Sequence, residues 1–153
     1  MIKRKSKINR IIAFDPGGHT GFAWIVGPES SVSKGTLVGN HHKYLLEMLH
    51  NFAPETIVYE RFDYRKNVSH AELTSVEYIG ILKLYSQMTN CILVPQMQLK
   101  GKNGLWTDDK LKALQLYTVN GDHANDAVRQ LLYYITAELK DNYWVKKYKQ
   151  ATQ

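Results

Sequence analysis

Three carboxylates stand at the ends of separable segments: Asp15 closes the apolar run IIAFD, Glu60 closes TIVYE, and Asp126 lies within GDHANDAVRQLL. An acid at the end of an apolar strand costs the fold unless something compensates its charge. A hard divalent cation such as magnesium, taking oxygen ligands, is one such compensation. Two such ions can clamp the attacking and leaving oxygens of a phosphodiester. The pattern therefore implies a metal-dependent nuclease. His123 precedes Asp126 by three residues, so on a helix both project from neighbouring positions of one face. From a helix start they are expected to reach a metal held by Asp15 and Glu60. Asp122 competes with His123 for that role, but a helix N-cap accounts for Asp122 and leaves His123 unexplained. Each residue alone also has an ordinary reading: an Asp-Pro-Gly turn, a strand-end glutamate paired with Arg61, a capping or core histidine, and a favourable charge in a first helical turn. Their joint occurrence in this order is what points to chemistry.

The elements that must bring these residues together follow from periodicity and punctuation. Ile8–Phe14 is isoleucine-rich and reads as a buried strand, broken by Asp15-Pro16-Gly17-Gly18. GFAWIV reads as a second strand and Ser30–Val38 contains a third, with Gly27-Pro28 at the hairpin between them. Lys43–Phe52 places Leu45, Leu46, Leu49 and Phe52 at helical spacing, and Thr56–Tyr59 is a β-branched strand. His70–Thr89 reads as a long helix with apolar residues on more than one side, and Cys91–Val94 as a strand stopped by Pro95. Gln96–Trp106 reads as a mobile loop. Thr107 is placed to cap a helix running to about Tyr117, and Asp122 to cap a last core helix over 123–139. The order predicts an α/β fold, a mixed central sheet flanked by helices, in one domain spanning 1–153. Strands 1, 4 and 5 are expected to be parallel, with functional loops at their C-terminal ends.

Composition sets the boundaries. Lys and Arg outnumber Asp and Glu by 20 to 14 in 153 residues, a balance that suits a polyanionic partner. A single cysteine, Cys91, excludes an intrachain disulfide and fits a reducing compartment. It reads as a packed thiol. No apolar run reaches the ~18 residues of a membrane span. A cytoplasmic protein with no membrane partner is expected, in the host cell if the source is a phage.

FDPGGHTGFA, IVYERF and HANDAVRQLL together resemble the three acidic motifs of the RuvC-type Holliday-junction resolvases, within the RNase H-like nuclease superfamily. That family carries Asp at the end of the first strand, Glu at the end of the fourth, and Asp or His followed by xxDA at the start of the last helix. The resemblance covers roughly residues 8–139. It implies an RNase H-like fold and metal-binding catalytic roles for Asp15, Glu60, His123 and Asp126. It implies two magnesium ions per site, with manganese able to substitute, and cleavage of Holliday junctions or other branched DNA. Phe62 falls where the family places an aromatic wedge. Lys100 and Lys110 match the family's basic residues after the fifth strand, and the helix from His70 its dimer-forming helix, where Gly80 allows close approach of a second subunit.

The residues themselves offer Arg61, Arg65, Lys66, Lys100, Lys102 and Lys110 as phosphate contacts, with Phe62, Tyr64 and Trp106 as aromatic surfaces for unstacked bases. Residues 140–153 form a basic aromatic tail, read as core packing followed by a frayed helix or as a DNA-binding extension. Three other functions stay open. One is an RNA-processing nuclease of YqgF type, or a debranching enzyme, on the same fold. Another is an ATP-binding protein of the actin and hexokinase superfamily, because DPGGHTG resembles its first phosphate loop; the chain is short for its two lobes. The third is a non-catalytic DNA-binding module, against which all four motif positions carry competent ligands.

Overall fold

The computed structural model describes residues 9–27, 29–63, 70–98 and 104–153, without the side chains of 70–72. Tyr64, Arg65, Lys66, Lys100 and Lys102 lie outside the described residues, as do the basic segment 1–8 and Pro28.

Five strands form one sheet: β1 (Ile11–Asp15), β2 (His19–Ile25), β3 (Ser33–Val38), β4 (Thr56–Glu60) and β5 (Ile92–Gln96). Their order is β3-β2-β1-β4-β5. β2 runs antiparallel to β1 and β3, and β4 is parallel to both β1 and β5. This is the mixed sheet expected, with strands 1, 4 and 5 parallel. All five residues of β1 are buried, because both faces of the central strand are covered. Side chains alternate across it. Ile11 and Ala13 join one core with Ala127, Val128 and Leu131, whereas Ile12 and Phe14 join a second core with Leu45, Leu49, Tyr78 and Leu82.

Helices α1 (His42–Phe52) and α2 (His70–Thr89) supply that second core. α3 (Asp108–Ala113), α4 (Asp122–Tyr133) and α5 (Tyr143–Ala151) supply the first. α4 does not stop at Tyr133 but widens into a π-helical segment, Tyr134–Glu138, where Leu139 N–H reaches the Tyr134 carbonyl at 2.9 Å. α5 is anchored by Trp144, which is buried in the α4-side core.

Several local expectations are corrected. Pro95 does not stop β5: it pairs in register with Tyr59 and the strand runs on to Gln96. β5 is an edge strand, and there a missing N–H removes no ladder bond if it faces outward. The helix after Thr107 ends at Ala113, four residues early, because Gln115 adopts a left-handed backbone and its N–H bonds the Lys112 carbonyl. Thr107 is its cap as expected, accepting from Lys110 N–H. Asp122 is not an N-cap: Gly121 holds that position and Asp122 is the first helical residue. Trp106 is 1% exposed and belongs to the core, so it presents no ring to a base.

Candidate active site

The parallel register of β1 and β4 puts two acids side by side. Phe14 pairs with Tyr59, and one residue further Asp15 and Glu60 end the neighbouring strands, which lie about 4.8 Å apart. By the two-residue period, Asp15 shares the face of Ile11 and Ala13, and Glu60 that of Val58. That is the face covered by α4.

α4 meets both acids. His123 Nδ1 lies 3.0 Å from Asp15 Oδ2, and Gln130 Nε2 donates to Glu60 Oε2 at 3.3 Å. A carboxylate only accepts, so Nδ1 carries the hydrogen, and in the neutral imidazole Nε2 is then the nitrogen with the lone pair. The Asp15 side chain is nearly covered, whereas that of His123 is 47% exposed. The imidazole stacks on His19, with ring centroids 5.8 Å apart. Asp126 lies one turn from both His123 and Gln130 along α4, but its carboxylate accepts from Arg129 Nη1 at 2.7 Å. Arg129 also pairs with Asp108 and donates from Nε to the Trp106 carbonyl at 3.1 Å. Its burial pushes the guanidinium below its ordinary pKa, although the group stays charged.

Close approach of α4 depends on one glycine. Gly21 pairs with Asp15 across β1 and β2. A Cβ there would lie 1.9 Å from the His123 carbonyl oxygen. The turn before α4 is pinned by Asn125, which is buried, accepts from Thr118 N–H at 2.8 Å and donates to the Thr118 carbonyl at 2.9 Å. Behind the loop after Asp15, the Thr20 hydroxyl accepts from Gly17 N–H at 3.2 Å and meets His41 Nε2 at 2.7 Å. His41 is buried, donates from Nδ1 to the Gly39 carbonyl and stacks on Tyr78. Burial lowers its pKa, the Gly39 carbonyl opposes this, and His42 and His19 add to the lowering. Ser75 of α2 donates to the Pro16 carbonyl at 2.8 Å, bracing the same loop. A cavity of about 70 Å³ opens beside it, lined in part by Pro16, Glu60 and Phe62.

Among the described residues, no three His, Asp or Glu side chains converge as a ready-made ion cage. The donors nevertheless fit a hard cation in kind. Asp15 and Glu60 offer oxygen from adjacent strand ends. Beside Glu60, the buried Oε1 atoms of Gln96 and Gln130 have no hydrogen-bond partner among the described residues, a surplus of acceptors that a cation could balance.

The remaining sequence candidates divide. Arg61 is exposed and pairs with Asp63 at 2.8 Å. Phe62 is half-buried and packs against the α2-side core. Lys110 donates to the Leu105 carbonyl at 2.8 Å and lies over the Tyr148 ring. Arg129, Gln130, Asn125 and Gly21 were not singled out from sequence. The i,i+3 spacing of Asp126 and Arg129 was the available sign for the first of them.

No family model matches the chain, and no curated protein is significantly similar to it in sequence. Solved structures are similar in fold. Thermus thermophilus RuvC in complex with Holliday junction substrate superposes with a TM-score of 0.61 at 13% identity, covering 85% of this chain and 96% of that one. The fold is that of the RuvC-type resolvases. The yeast mitochondrial Holliday junction resolvase aligns with it at a TM-score of 0.57 and 13% identity, over 94% of this chain and 85% of its own. The fowlpox virus Holliday junction resolvase aligns at 0.55 and 15%, over 84% and 99%. The RuvC-type fold thus accounts for the strand ends on which Asp15 and Glu60 sit. None of the described helices is long and apolar enough to cross a membrane.

Proposed function

We propose that the chain is a metal-dependent, structure-selective endodeoxyribonuclease that hydrolyses phosphodiesters in Holliday junctions or related branched DNA, a crossover-junction endodeoxyribonuclease. The observation that carries this reading is the pairing of Asp15 and Glu60 at adjoining strand ends, with His123 of α4 hydrogen-bonded to Asp15, on a fold shared with resolvases.

Asp15 and Glu60 would hold the first magnesium ion, and Asp126 with His123 would complete a two-ion site in which manganese can substitute. Bound ions would polarise the phosphoryl oxygen and lower the pKa of attacking water. The chain's own contribution is placement. Asp15 orients the imidazole through Nδ1 and directs Nε2 outward, where it can take a proton from water or ligate an ion. Protonated His123 can do neither. Gln130 steadies the Glu60 carboxylate. Phe62, which lines the cavity beside Glu60, is the aromatic candidate at the junction branch point, and Arg61 the phosphate contact next to it in sequence. Tyr64, Arg65, Lys66, Lys100 and Lys102 remain candidates for DNA contact, and so does Lys110, although its ammonium is engaged by the Leu105 carbonyl.

A symmetric junction needs two cuts, and a homodimer through α2 would present two sites. Leu73, Val76, Leu84 and Met88 on that helix are between 46% and 70% exposed, and Gly80 lies open beside them. The deciding experiment is magnesium-dependent cleavage of a synthetic four-way junction, a linear duplex and a matched RNA by the parent, Asp15→Asn and Asp126→Asn. Junction cleavage by the parent alone is expected. Equal cutting by all three proteins would exclude the assigned centre.

A further inference from the structure

Arg129 places a permanent positive charge against an acid that the proposed chemistry gives to a cation. It follows Asp126 by three residues on α4, so the two side chains are neighbours by helical geometry. Each of its three guanidinium nitrogens is engaged: Nη1 with Asp126 Oδ1 at 2.7 Å, Nη2 with the Asp108 carboxylate and Nε with the Trp106 carbonyl. The Arg129 side chain is 11% exposed and that of Asp126 17%, so salt screens the pair poorly. A divalent ion that takes the Asp126 carboxylate must compete with this charge. Breaking a buried pair is costly when it strands one partner. Here it does not, because Arg129 keeps Asp108 and the Trp106 carbonyl when Asp126 turns away.

We propose that Arg129 is a positioning residue that acts as a built-in counter-ion: it orients Asp126 before an ion arrives, competes with a divalent cation for that carboxylate, and stays paired with Asp108 when the cation binds. This rests on the metal-centre reading and adds a regulator to it. Ion affinity is then set partly from outside the centre, through the first turn of α3. Asp108 is half-exposed and lines an open groove of about 530 Å³ with Thr107, Asp109, Lys112, Asp126 and Arg129.

The test is calorimetric titration of manganese into the DNA-free protein, comparing the parent with Arg129→Gln, Arg129→Lys, Asp108→Asn and Asp15→Asn. Arg129→Gln removes the competitor and should bind the ion about tenfold more tightly. Arg129→Lys restores the charge and should return affinity to near the parent's. Asp108→Asn, at a half-exposed position, removes the alternative acceptor and should weaken binding. A merely structural role for Arg129 would not tighten binding in one variant and loosen it in the other. If the parent binds manganese through Asp15 but Arg129→Gln and Asp108→Asn both leave its affinity unchanged, the counter-ion role is wrong and the metal centre stands. If Arg129→Gln does not fold, unchanged or tighter binding in Asp108→Asn overturns the role alone. If the parent binds no manganese, and Asp15→Asn makes no difference, the metal-centre reading itself fails.

Discussion

Replacing Gly21 by alanine adds one methyl group where the structure has no room for it. The new Cβ would lie 1.9 Å from the His123 carbonyl oxygen, 2.2 Å from its carbonyl carbon and 2.9 Å from Ala124 N. These are backbone atoms of a helix start, so no side-chain rotation relieves the clash. To regain an ordinary separation of about 3.4 Å, the end of α4 must recede by roughly 1.5 Å. Overpacking of this kind costs about 1–3 kcal/mol, which for a chain of this size lowers Tm by about 2–12 °C. The same shift pulls His123 from its 3.0 Å contact with Asp15, and a misplacement near 1 Å costs about 100-fold in rate. Gly18→Ala is the matched control, because a Cβ there meets nothing within 4 Å. Thermal unfolding followed by circular dichroism, and junction cleavage under single-turnover conditions, read the two effects. Gly21→Ala should lose both stability and activity while Gly18→Ala stays within about 0.5 kcal/mol of the parent. A Gly21→Ala protein with the parent's Tm and rate would show that α4 is not seated on β2 as described, and the placement of His123 would go with it.

Burial pushes the Cys91 thiol up to about 11, so at pH 8 it should resist iodoacetamide in the native protein and react on unfolding in urea; equal labelling rates in both states would refute its packing. Burial holds the His41 pKa below its unfolded value of 6.5. The unfolded chain therefore binds the extra proton first, and His41 contributes stability that is complete above pH 6.5 and lost as pH falls towards its folded pKa. Denaturant titrations from pH 8 to 5 should show a smaller acid loss for His41→Gln than for the parent, and parallel curves would contradict this. Leu84→Glu with Met88→Glu, both at exposed positions, should leave the monomer folded but abolish a homodimer formed through α2; sedimentation giving one unchanged mass for parent and variant would count against that interface.

How much was legible in the chain depended on whether local chemistry decided it. The runs IIAFD and TIVYE declare buried strands because β-branched and aromatic residues suit a sheet covered on both faces, and each ends on its acid as read. Asp15, Glu60 and His123 were legible for the same reason: an acid or imidazole at an element boundary is conspicuous by type. Local punctuation was less dependable. Pro95 continues a strand because β5 lies at the sheet edge, a position that its own sequence does not encode. Asp122 cedes the cap to Gly121, and Trp106 lies in the core although it borders a polar, acidic stretch, Thr107-Asp108-Asp109.

Residue type and order thus determined the α/β class, the strand ends and the three acids worth watching. Only the folded arrangement decided which partner each acid keeps. Asp15 takes His123 from 108 positions away and Glu60 takes Gln130 from 70 away, because parallel pairing of β1 with β4 and the seating of α4 on Gly21 are long-range events. Asp126 shows the division within a single helix. Its spacing to Arg129 is written in the chain, but the meaning of that pair is not. The guanidinium is buried and shared with Asp108 only because the tertiary fold brings the start of α3 within reach of α4, and a charge pair changes its strength and its role once water is excluded from it.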